Sequence, residues 1–88
     1  MTPETQEKQA IKEYLKLKGV FFYHNLAGLG VFKGIADLTA IKDGKCYQIE
    51  VKVGRYNQSP NQIEFQKEWE AHGGIYILGD LDKVRKYL

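Results

Sequence analysis

Eighty-eight residues, 43% hydrophobic and 27% charged, suffice for one small domain spanning 1–88, whose thin core hides only about 60–65% of the surface of the unfolded chain. A single cysteine, Cys46, excludes an internal disulfide and a Cys-based zinc cluster, and two separated histidines, His24 and His72, argue against a His-rich metal site. With no apolar run near the roughly 20 residues of a membrane span and no signal-peptide pattern, a cytoplasmic protein without membrane contact is expected, and a net charge of +2 permits nucleic-acid contact without arguing for it.

The first helix is marked by Thr2 as N-cap, Pro3 at the first helical position and an unbroken run from Glu4 to Lys18, with Gly19 closing it. Ile11, Tyr14 and Leu15 form its apolar stripe, and at about 100° per residue Glu4 falls between Ile11 and Leu15. From position alone, Glu4 either complements the helix dipole or faces a site. Residues 20–24 (VFFYH) read as a short strand, and the glycine-bearing stretch 25–34 as a loop. Ile35–Lys42, Asp43-Gly44 and Lys45–Val53 read as strand, two-residue type I′ turn and strand. After the loop 54–58, Ser59-Pro60-Asn61-Gln62 opens a helix through a capping box that runs to about His72. Ile75–Leu78 is a buried strand, and Asp80 caps a last short helix carrying Leu81, Val84 and Leu88. The order is α-β-β-β-α-β-α: a meander, then a helical crossover into a further strand.

The hairpin brings the chemistry together. A two-residue loop at Asp43-Gly44 sets Thr39 opposite Gln48 and Asp37 directly opposite Glu50, with Cβ atoms roughly 4.5–5.5 Å apart. Alternation puts Gln48, Glu50 and Lys52 on one face, expected to be the polar one, and Tyr47, Ile49, Val51 and Val53 on the apolar face. Opposed carboxylates repel and persist where a proton, a cation or a metal compensates. Lys52 alone would make a solvated Asp–Lys–Glu cluster. A hard divalent cation held by Asp37 and Glu50, with Lys52 beside the attacking water, would instead supply the parts for phosphodiester hydrolysis.

Asp37, twelve intervening residues and Glu50-Val51-Lys52 resemble the PD-(D/E)xK nuclease signature. Together with Glu4-Thr5-Gln6, Gly34-Ile35-Ala36-Asp37 and the Gln62 that opens the second long helix, the chain is similar to the VRR-NUC (virus-type replication-repair nuclease) domain over nearly its whole length. Ala36 stands where many relatives have Pro. The resemblance implies a restriction-endonuclease-like αβββαβα fold, α/β in class, with a mixed central sheet flanked by helices. It also implies an endonuclease dependent on Mg²⁺ or Mn²⁺. Asp37, Glu50 and the Val51 carbonyl would hold the metal, Glu4 would act through a bound water or a second ion, and Lys52 would orient the water and stabilise the pentavalent phosphorus. Gln62 is either a catalytic group beside Lys52 or simply the helix cap. Stand-alone phage and bacterial members of this family look like homodimers that cut four-way (Holliday) DNA junctions; versions within larger repair proteins look like flap nucleases. Dimerisation would also cover the surplus of six Tyr, four Phe and one Trp.

Other signals are weaker. Gly28–Gly34 lacks the Gly-Lys-Ser/Thr of a phosphate loop and is either a DNA-contacting loop, with Asn25 and Lys33 on phosphates, or a connector. Lys33, Lys42, Lys45, Arg55 and Lys67 could form a backbone-contacting surface, and Tyr56 could stack on a base. Phe65 and Trp69, four apart on one helix, are core or dimer contacts. The competing class is a nucleic-acid-binding dimer without catalysis.

Overall fold

The computed structural model describes residues 1–88. Thr2 starts α1 (Pro3–Leu17) by accepting the Thr5 N–H at 3.1 Å on its hydroxyl, with Pro3 in the first turn where no backbone donor is needed. β1 (Phe21–His24), β2 (Leu38–Lys42) and β3 (Lys45–Val51) form an antiparallel meander. α2 (Pro60–Ala71) crosses over to β4 (Ile75–Gly79), which lies parallel to β3, and α3 (Leu81–Arg85) ends the chain. The sheet order is β1-β2-β3-β4, so the class and the order of elements are those expected. No helix is long and apolar enough to cross a membrane.

Asp43 at φ 52° and Gly44 at φ 77° adopt the left-handed conformations of a type I′ turn, and the hairpin takes the register it dictates: Lys42 pairs with Lys45 and Thr39 with Gln48. On one face of the sheet, Ile11 and Leu15 of α1 and Val84 of α3 pack with Leu38, Ile49 and Ile77, all fully buried. On the other, α2 lays Phe65 and the half-buried Trp69 against Tyr76 and Ala36. Trp69 stacks on Phe65 at 6.0 Å and donates its indole N–H to Ile75 O at 3.0 Å, so Phe65 is a core residue and Trp69 packs against it. Glu7 ties the two helices of the first face together: its Oε2 accepts the Leu81 N–H at the start of α3 at 2.7 Å.

Three expectations are corrected. β2 begins at Leu38 rather than Ile35, and β3 ends at Val51, so Asp37 and Lys52 flank the ladder instead of lying within it. Asp37 is not paired with Glu50: its N–H donates to Ile49 O, the residue the ladder pairs with Leu38, giving the two-against-one arrangement of a β-bulge. The face carrying Gln48 and Glu50 is not solvated; they are only 2% and 4% exposed. β4 pairs along the other edge of β3 and places it inside the sheet, and a central strand in an α/β layer is covered on both sides.

Candidate active site

The bulge opens the sheet at one end, and three acids converge there. Carboxylate oxygens of Glu4 from the first turn of α1, Asp37 from the bulge and Glu50 from β3 all lie within 4.8 Å of one another. Asp37 is aimed by the backbone: its Oδ2 accepts the Val51 N–H at 2.8 Å, replacing the carbonyl that a regular ladder would present. Asp37 Oδ1 is 3.2 Å from Lys8 Nζ, and Glu50 Oε2 is 3.6 Å from Lys52 Nζ. Burial, then the neighbouring charge of Asp37, pushes the Glu50 carboxyl up from its ordinary 4.5 to about 7; Lys52 pulls the other way and does not offset them.

This donor set fits a divalent cation. Three acids drawn together, one of them buried and reluctant to ionise, are stabilised by a nearby positive charge, and all three offer the oxygen ligands that Mg²⁺ and Mn²⁺ prefer. Lys52, carried past the end of β3 by its N–H bond to Gly79 O at 2.9 Å, places an ammonium at the rim of the cluster. The expected grouping of Glu4, Asp37, Glu50 and Lys52 is therefore present, although its geometry comes from a bulge and not from direct cross-strand pairing.

Gln62 completes the capping box: its N–H reaches Ser59 Oγ at 3.2 Å and its Oε1 accepts the Ser59 N–H at 2.9 Å, so its carbonyl oxygen is committed to the start of α2. Asn25 does not reach out to solvent. Its Nδ2 donates to Ala36 O at 3.0 Å and to Gln48 Oε1 at 2.9 Å, its Oδ1 accepts from Thr39 at 2.7 Å, and its N–H bonds Asp37 O at 2.8 Å. With each polar atom of its side chain engaged, Asn25 pins the bulge instead of contacting phosphate, which corrects that expectation. Lys33, Arg55 and Tyr56 are exposed, and Tyr56 lines a shallow depression of about 160 Å³ together with Lys52.

Two groups escaped the sequence reading. Lys8 stands one turn after Glu4 on α1, and that i, i+4 spacing was the signal available for it. Tyr76 packs its ring on Phe65 at 6.3 Å and buries a hydroxyl without a hydrogen-bond partner. Burial and the nearby Glu50 charge push that phenol up to about 12, so it stays protonated.

No protein-family model and no curated protein matches the chain. Among solved structures, a VRR_NUC domain superposes with a TM-score of 0.80 at 22% identity, over 98% of this chain and 94% of that one. A VRR_NUC domain protein superposes with a TM-score of 0.79 at 19% identity, over 100% and 89%. From α1 to α3, the chain has the fold of the VRR_NUC domain.

Proposed function

We propose that this protein is a metal-dependent DNA endonuclease of the PD-(D/E)xK type, acting as a homodimer on branched DNA such as four-way junctions. The observation that carries this reading is the convergence of Glu4, Asp37 and Glu50 within 4.8 Å beside the Lys52 ammonium. The likeness in fold to VRR_NUC domains supports it, as the acids sit on α1, at the entry to β2 and on β3 in that same framework.

Asp37, Glu50 and Glu4, with the Val51 carbonyl, would hold Mg²⁺ or Mn²⁺. The chemistry such an ion supplies when bound is charge neutralisation on the phosphodiester and a more acidic water. Lys52 donates from its Nζ to the attacking water and to the negative charge that develops on the phosphoryl oxygens. The Val51 N–H holds Asp37 in one orientation, so no reorganisation is needed there as substrate arrives. Lys33, Arg55 and Tyr56 contact the DNA backbone and bases from the exposed loops. Gln62 contributes through the cap that fixes α2. Phe21 and Tyr23, exposed on the edge strand β1 and packed edge-to-face at 6.1 Å, support a subunit contact that would hide them.

The test is cleavage of four-way-junction, flap and plasmid DNA by the purified protein with Mg²⁺ or Mn²⁺. Wild type is expected to cut. Lys52→Ala and Asp37→Asn are expected to lose about 100-fold or more, the scale of removing one transition-state donor, while keeping their circular dichroism and DNA binding. Absence of cleavage on every substrate with both metals would leave a non-catalytic DNA-binding dimer. Preference for flaps over junctions would retain the nuclease and replace the junction assignment.

A further inference from the structure

The acid cluster is served by two ammonium groups, and only Lys52 has a part in the reaction described above. Lys8 Nζ lies 3.2 Å from Asp37 Oδ1, with the two side chains 24% and 20% exposed. The other oxygen of Asp37 is committed to the Val51 amide at 2.8 Å. Oδ1 is thus the less committed oxygen of Asp37, and an ammonium already stands on it. Asp37 cannot turn away without losing its bond to β3. Lys8, on a flexible four-carbon stem, can move.

Charge balance points the same way. With all groups ionised, Glu4, Asp37 and Glu50 outnumber Lys8 and Lys52 by one negative charge, and a divalent cation turns the balance to one positive charge, attractive to a phosphodiester. A cation on Oδ1 would repel the Lys8 ammonium toward open space. Together with Thr2, Glu4, Thr5 and Val53, Lys8 lines an open depression of about 540 Å³.

We propose that Lys8 is a displaceable counter-ion of the metal centre. It neutralises Asp37 until a divalent cation takes Oδ1, and its freed ammonium then binds a non-bridging oxygen of the substrate phosphate. This rests on reading the three acids as a metal centre, and the experiment separates the two. Mn²⁺ binding is measured by calorimetry on the intact protein without DNA, and junction cleavage by steady-state kinetics, for wild type, Lys8→Met and Lys8→Arg. Lys8→Met keeps an unbranched apolar stem and removes the charge; Lys8→Gln is the alternative should its circular dichroism change.

Lys8→Met is expected to bind Mn²⁺ about three- to tenfold tighter than wild type, the scale on which one neighbouring charge acts. Its KM for the junction is expected to rise by a similar factor with kcat nearly unchanged, and Lys8→Arg is expected to restore the KM. Mn²⁺ affinity unchanged or weakened in Lys8→Met overturns the counter-ion role. Tighter Mn²⁺ binding with an unchanged KM overturns the transfer to phosphate. Failure of wild type itself to bind Mn²⁺ removes the metal centre, and with it the basis of this proposal.

Discussion

Glu50 concentrates the electrostatic strain of the molecule. Its carboxyl is buried and beside Asp37, so ionisation is unfavourable even with the Lys52 ammonium 3.6 Å away. A folded-state pKa of about 7 lies above the ordinary 4.5, so the folded protein binds more protons than the unfolded chain between these values. Stability of the metal-free protein is therefore full below 4.5, falls as pH rises through 7 and is flat above. Glu50→Gln removes that dependence. Discounted for solvent screening, the effect is about 1 kcal/mol, or about 4–8 °C for a domain of this size. Thermal melts without metal should show Glu50→Gln above wild type at pH 8 and no higher at pH 4.5, even as it abolishes cleavage. Asn25 makes the complementary point. As a lone polar residue in a glycine-bearing loop it reads as a surface contact, because its partners are 11, 14 and 23 residues away and no local pattern encodes them.

At the scale of elements, helix ends and the turn were legible because their determinants are local. Thr2-Pro3, Ser59-Pro60 with Gln62, and Asp43-Gly44 each act within four residues, and each does what those residue types favour. The entry to β2 was not legible. There the chain leaves the ladder because Asn25 takes the Ala36 carbonyl and the Asp37 side chain takes the Val51 amide, both long-range competitors for ladder hydrogen bonds. Gly34 completes the junction: at φ 82° it packs against the Asn61 backbone so closely that a Cβ would collide with it. Gly34→Ala should destabilise by about 1–3 kcal/mol through left-handed strain and overpacking, read from urea unfolding. An unchanged unfolding midpoint would show that this contact does not join α2 to the site.

For the whole molecule, the sheet leaves β1 as an open edge with Phe21 and Tyr23 exposed, which the proposed homodimer would cover. Light scattering after size exclusion should give about twice 10.1 kDa. A mass of one chain would remove the homodimer and weaken the four-way-junction reading while leaving the acid cluster intact. What the sequence by itself determined was the order of elements, their caps and the hairpin register; Asp37, Glu50 and Lys52 stood as candidates from that register, and Glu4 from the resemblance to VRR-NUC domains. Elements, caps and register follow from short-range periodicity and turn chemistry. Only the tertiary structure decided that the polar face of β3 is buried, that a bulge and not a ladder pair aims Asp37, and that Lys8 shares its free oxygen. Those outcomes depend on β4 and α1 arriving against β3 from opposite ends of the chain, and no local pattern carries the energies of contacts formed only when distant segments meet.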